Sequence, residues 1–303
     1  MKIDLRLWAK IRDAMVRGHH QARAVMGDQF LDHEGKTLLS RAAWVPGIGI
    51  GVKSVSVFPT NPALHNLPTI DGSMVIFDDK TGQVRGTLSS DRITNLKTAT
   101  DSVLGASLLA RKDARNLLIV GAGKVAMHLV QADAALMPHL NQVQLWNRTA
   151  QRGAAVVKEL QALGFGVEQV EDLRAAAQQA HVISCAVMTS HPVLRGAWVQ
   201  PGTHVDLIGA FNKSMREGDD ELILKSRLFC DCLDTTVDHI GEFYDPIQRG
   251  LIKPSHIRGD FYDLIPGRIG RQSDSEITLC KNGGGAHLDL MTAQVLLPPP
   301  QQE

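Results

Sequence analysis

Leu117-Leu118-Ile119-Val120-Gly121-Ala122-Gly123-Lys124-Val125-Ala126 is the stretch whose reading decides the fold. Its first four residues are an unbroken apolar run, the pattern of a strand buried on both faces of a parallel sheet. Gly121, Gly123 and Ala126 follow at the spacing G-x-G-x-x-A, at the opening of a helix expected over Lys124 to Met137. Gly121 permits a tight turn, Gly123 lets backbone approach a pyrophosphate, and Ala126 allows the helix to pack close to the strand. The helix start adds unpaired N–H groups and the positive end of its dipole. Gly121, Ala122, Gly123, Lys124, Val125 and Ala126 are therefore expected to bind a dinucleotide.

Downstream, short apolar runs alternate with helical stretches. Strands are expected at Val143 to Asn147, Gly166 to Val170, His181 to Ala186, His204 to Ile208 and Leu228 to Asp231. Helices are expected at Ala150 to Leu163, Asp172 to Gln179 and Asp219 to Lys225. This alternation predicts an α/β fold, a Rossmann doubly wound parallel sheet. The second strand ends Leu145-Trp146-Asn147-Arg148-Thr149, without the carboxylate that would hold the 2′-hydroxyl of NAD. Asn147, Arg148 and Thr149 suit a 2′-phosphate, which a guanidinium binds in a charge-assisted fork. Arg148-Thr149 also fits a plain helix cap, and Thr149 can serve both readings. NADPH is the expected cofactor, with NADH an alternative.

Upstream, Leu5, Trp8, Ile11 and Met15 fall at the spacing of an amphipathic helix. Strands are expected at Gly49 to Val57, Ser73 to Asp78 and Gln83 to Leu88, the last two joined by the turn Asp79-Lys80-Thr81-Gly82. Pro59, Pro62 and Pro68 mark an irregular loop, and helix is expected from Leu96 to Arg111. At the far end, Gly283-Gly284-Gly285 leads into a short helix that stops before Pro298-Pro299-Pro300.

The chain has 303 residues, more than the roughly 100–200 of one domain, so two domains are expected. Lysine plus arginine and aspartate plus glutamate each total 32, and this balance argues against a polyanion binder. Apolar residues at 44% suffice for a sizeable core. No apolar run reaches the ~18 residues of a membrane span, and the charged amino terminus does not read as a signal peptide. A cytoplasmic location without membrane or nucleic-acid partners is expected. Cys185, Cys230, Cys232 and Cys280 are too scattered for a disulfide framework. Cys230-Asp231-Cys232 lacks the second cluster of a metal site and reads as buried thiols.

Further motifs carry a resemblance. Gly51-Val52-Lys53 with Phe58-Pro59-Thr60-Asn61-Pro62, Lys97-Thr98-Ala99-Thr100-Asp101-Ser102 and Leu109-Ala110-Arg111 resemble the ornithine cyclodeaminase/μ-crystallin family. Pro201 to Phe211, Met215-Arg216-Glu217, Gly270-Arg271 and Glu276 to Gly285 resemble the same family in the same order. The resemblance implies NAD(P)-dependent chemistry on amino or imino acids and a homodimer. It also implies a Rossmann domain (113–283) inserted in a smaller α+β substrate-binding and dimerisation domain (1–112 plus 284–303).

On that resemblance the family's substrate-binding lysine falls on Lys53, whose ammonium can pair with an α-carboxylate near an imine nitrogen. Lys97 stands where many relatives carry a carboxylate-clamping arginine, so the fork becomes a point charge. Thr98 is an expected phosphate or substrate contact. Arg41 either replaces an upstream clamping arginine or is a solvated arginine at a strand end. Ala186, Val187 and Met188 are expected against the cofactor, and Asn282 near the nicotinamide. His239, Gly241 and Glu242 occupy a family loop, with Glu242 read as either site residue or structural acid. Phe211 stands where cyclodeaminases carry an aspartate, and a phenyl ring cannot transfer a proton. The resemblance therefore points away from ornithine cyclodeamination and towards a ketimine reductase acting on Δ1-pyrroline-2-carboxylate or Δ1-piperideine-2-carboxylate. An amino-acid dehydrogenase or open-chain ketimine reductase, or a non-catalytic cofactor-bound protein, are the alternatives. No metal is expected.

Overall fold

The computed structural model describes residues 4–298. The first three residues and Pro299-Pro300 of the proline tail lie outside the described residues. The chain divides into two compact units. One comprises Lys10–Lys97 and the chain from Gly285 onward; the other comprises Thr98–Gly284 and the residues through Ala9.

The smaller unit is built on a five-stranded antiparallel sheet in sequential order. Its strands are β1 Val25–His33, β2 Lys36–Val45, β3 Gly49–Val57, β4 Ile70–Phe77 and β5 Val84–Ser89. The hairpin expected between β4 and β5 forms, with the Asp78 carboxylate accepting the N–H groups of Lys80 and Thr81. β1 and β2 were not expected. β1 reads Val-Met-Gly-Asp-Gln-Phe-Leu-Asp-His, without polar–apolar alternation, and its residues are mostly exposed on both faces. Pairing with β2, rather than a buried side, holds it in the sheet. Helix Ala286–Leu296 packs on β2 and β3 through an almost wholly buried set of residues.

The larger unit is a seven-stranded, wholly parallel sheet in the order β11-β12-β10-β9-β6-β7-β8. These strands are β6 Asn116–Val120, β7 Gln142–Trp146, β8 Val167–Gln169, β9 Val182–Cys185, β10 His204–Leu207, β11 Ser226–Cys230 and β12 Ile277–Lys281. The expected α/β, doubly wound fold is present. β12, inserted between β10 and β11, was not read as a strand because Thr278 and Lys281 interrupt its apolar run. Both are fully buried. Leu118, Val120, Ile183, Cys185, Val205, Leu207 and Leu279 form the centre of the core. All four cysteines are buried and reduced, and burial pushes the thiols of Cys185, Cys230 and Cys280 well above their ordinary value. Among the described residues no helix is long and apolar enough to cross a membrane.

Candidate active site

Strand order reverses at the β6/β9 pair, and in such sheets ligands bind beyond the carboxyl ends of the strands at that point. The G-x-G-x-x-A turn lies there. Gly121 has φ +118°, and a Cβ on it would sit 2.8 Å from the carbonyl oxygen of Ala186. A side chain is thus excluded by conformation and by contact. Gly123 caps helix Lys124–Leu136 in an extended conformation and faces open space. Gly123, at the N-cap, has no side chain to offer a cap bond. Ala126 is fully buried against the sheet. The cradle fits a dinucleotide pyrophosphate: open at Gly123, closed at Gly121 and set at the positive end of a helix.

At the end of β7, Asn147 donates from its amide to the Thr149 carbonyl at 2.8 Å. Thr149 holds the N-cap position of helix Ala150–Ala162, but its hydroxyl forms no cap bond among the described residues. The capping reading of Thr149 is therefore positional only. Arg148 is exposed, and its guanidinium has no ion-pair partner among the described residues.

The ends of β9 and β10 are fastened by one buried acid. Glu217 accepts the N–H groups of Val187 (2.9 Å), Gly209 (2.7 Å) and Ala210 (3.2 Å). Gly209 allows this approach, since a Cβ there would lie 2.3 Å from the Val187 backbone. Lys281 lies 3.6 Å from Glu217 and 3.9 Å from Glu242, with all three side chains fully buried. Burial pushes the Glu217 carboxyl up, Lys281 draws it down, and Glu242 adds to the rise. Glu242 accepts the N–H of Glu217 at 2.6 Å, so its structural reading is the one with contacts. His239 is exposed. Met188 and Phe211, at the ends of β9 and β10, are exposed by 75% and 60%, unusually bare for apolar side chains beside a cofactor crevice. Asn282, just past β12, is buried, yet neither atom of its amide has a partner among the described residues. A buried amide without partners is a natural contact for a bound group.

The smaller unit holds a second cluster. Lys53 on β3 places its ammonium 2.6 Å from the Asp289 carboxylate, with the side chains 9% and 1% exposed. Burial lowers the Lys53 pKa, the Asp289 charge opposes that, and Lys97 and Arg41 lower it further. Burial raises the Asp289 carboxyl, but Lys53 and Lys97 outweigh it, so its pKa stays below the ordinary carboxylate value. Lys97 is buried. Arg41 sits directly across from Lys53 in the β2–β3 register, within β2 and not at a strand end, so that reading is corrected. It is paired with Asp28 at 2.9 Å. Thr98 is half-buried in helix Ser90–Leu109.

Sequence reasoning missed two groups in helix Ala286–Leu296. Asp289 is an acid on a buried helix, and that isolation was the only available signal. His287 is fully buried, and neither ring nitrogen has a hydrogen-bond partner among the described residues. Its ring meets His19 edge-on at 5.6 Å. Burial, with His19, Lys97, Arg41 and Arg23, holds it well below the ordinary imidazole value, hence neutral. A cavity of about 550 Å³ opens at the opposite, amino-terminal ends of β11 and β12, away from the crevice.

The profile of the ornithine cyclodeaminase/mu-crystallin family matches residues 18–297. The Δ1-pyrroline-2-carboxylate reductase of Paracoccus denitrificans is 47% identical over 290 residues, covering 95% of this chain and 92% of that one. Among solved structures, Thermococcus litoralis Δ1-pyrroline-2-carboxylate reductase in complex with NADH and L-proline superposes with a TM-score of 0.86 at 26% identity. That match covers 97% of this chain and 92% of the other. The iminosuccinate reductase of Paracoccus denitrificans with NAD+ superposes with a TM-score of 0.83 at 25% identity, covering 97% and 91%.

Proposed function

The chain belongs to the ornithine cyclodeaminase/mu-crystallin family, and we propose that it is an NAD(P)H-dependent reductase of a cyclic α-imino acid. The substrate is Δ1-pyrroline-2-carboxylate, reduced to L-proline, with the six-membered Δ1-piperideine-2-carboxylate as a second substrate. The observation that carries this reading is the buried Lys53–Asp289 pair with Lys97 and Arg41 beside it. A small anion with a basic nitrogen answers that charge pattern, and the Δ1-pyrroline-2-carboxylate reductases among the relatives support a cyclic imine.

In this reading Gly121 to Ala126 hold the pyrophosphate, and Ala186, Val187, Met188 and Asn282 meet the nicotinamide half. Arg148, free of an ion pair among the described residues, reads a 2′-phosphate and makes NADPH the preferred cofactor. When bound, the reduced nicotinamide supplies hydride to the imine carbon. Lys53, Lys97 and Arg41 attract the substrate carboxylate, and Thr98 contributes a hydroxyl. Lys53 is the proton source for the imine nitrogen: burial lowers its pKa and makes the proton easier to give. Phe211 supplies no group for cyclodeamination. The family and the exposed apolar residues of β1 support a homodimer.

Steady-state oxidation of NADPH with Δ1-pyrroline-2-carboxylate tests the reading. The expected result is turnover without ammonia, reduced at least a hundredfold in Lys53→Ala. Turnover only of a 2-oxo acid with ammonia, or of ornithine, would overturn it.

A further inference from the structure

Asp289 is half used. Its Oδ2 meets the Lys53 ammonium at 2.6 Å, while Oδ1 has no hydrogen-bond partner among the described residues although the side chain is only 1% exposed. Buried carboxylate oxygens are normally satisfied, because leaving a charged acceptor unpaired costs about as much as several ordinary hydrogen bonds. The groups around it explain what is missing. Lys53, Lys97 and Arg41 all act on Asp289 electrostatically. With Arg41 paired to Asp28 and Lys53 to Asp289, three cations face two carboxylates, which leaves one positive charge for a substrate carboxylate. A protonated imine is itself a cation, and cations alone would repel it. The cluster needs one anion for the nitrogen.

We propose that Asp289 is a catalytic residue whose free Oδ1 accepts the N–H of the protonated cyclic imine. The inference rests on the reductase reading above and adds to it the residue that recognises the nitrogen. The site then matches the substrate as a zwitterion: cationic side chains toward its carboxylate, and Asp289 toward its iminium. Electrostatic stabilisation of the iminium favours the protonated form, the better hydride acceptor. As hydride adds to the ring carbon, the C=N π pair becomes the nitrogen lone pair. The N–H held by Asp289 stays on nitrogen throughout, so the amine forms without a second proton movement at this carboxylate.

Two planar ring acids test this. Pyrrole-2-carboxylate and furan-2-carboxylate share shape and charge, but the first presents an N–H where the second presents an oxygen lone pair. Binding of each is measured by calorimetry to the protein saturated with oxidised cofactor. The wild-type chain is expected to bind the pyrrole acid at least tenfold more tightly. In Asp289→Asn the preference is expected to fall to about twofold or less, since an amide can present either a donor or an acceptor. Lys53→Met is expected to weaken both acids and keep the preference. Equal wild-type affinities, failure of either acid to bind, or an unchanged preference in Asp289→Asn would overturn the proposal. A wild-type preference that holds while Δ1-pyrroline-2-carboxylate is not reduced overturns the reductase reading instead.

Discussion

At the scale of single residues, chemistry rests on charges whose surroundings differ. Arg148 is exposed and has no ion-pair partner among the described residues, so the proposed contact with a 2′-phosphate can be tested without disturbing a salt bridge. Arg148→Ala is expected to raise the KM for NADPH at least tenfold and that for NADH by less than twofold, read from initial rates with each cofactor. Equal changes would mean that the guanidinium does not read the 2′-phosphate. Lys53 is the opposite case, a buried cation paired with a buried anion. Removing one member of such a pair leaves the other uncompensated, typically at about 3–5 kcal/mol, so folding controls belong with any Lys53 variant. Lys53 was legible through the family resemblance of the motif around it. Asp289 was not: the two positions are 236 apart in the sequence, and only the fold brings them to 2.6 Å.

At the scale of elements, turns at the strand ends are held by groups drawn from elsewhere. Glu217 ties the ends of β9 and β10 together, and Asp231 accepts from Gly283 and Thr236 where β12 leads into the glycine turn. Helix Lys124–Leu136 carries a cost of a different kind. Asp133 is buried, one of its carboxylate oxygens has no partner among the described residues, and burial, with the Asp206 charge, pushes its pKa well above the ordinary value. A carboxyl raised on folding contributes stability that is complete below its unfolded value of about 4. That stability is lost as pH rises towards and through the folded value. Asp133→Asn keeps the volume and removes the titration. Its melting temperature relative to wild type is expected to be higher at pH 8 than at pH 5, measured by circular dichroism. The same difference at both pH values would refute this. The long helices and most strands of the parallel sheet were legible from periodicity. β1, which buries little, β12, which buries a lysine, β2 and the short helices Asn61–His65, Leu233–Thr236, Gly241–Gln248 and Phe261–Leu264 were not.

At the scale of the molecule, β1 is a nine-residue edge strand with Phe30 and Leu31, on opposite faces, 60% and 54% exposed. Such an edge is normally covered. Light scattering is expected to give twice the chain mass, and Phe30→Asp with Leu31→Asp to give the monomer; a monomeric wild-type chain would exclude the homodimer. The sequence by itself determined the parallel sheet and the G-x-G-x-x-A turn, because both depend on residues adjacent or regularly spaced along the chain. The family was legible through the resemblance of several motifs in the same order. Only the tertiary structure decided the partner of Lys53, the fastening of the crevice by Glu217 and the place of Arg41 across from Lys53. Those depend on burial and on register between distant segments. A local pattern records which face of a strand or helix is apolar, not which charge from elsewhere in the chain will meet it.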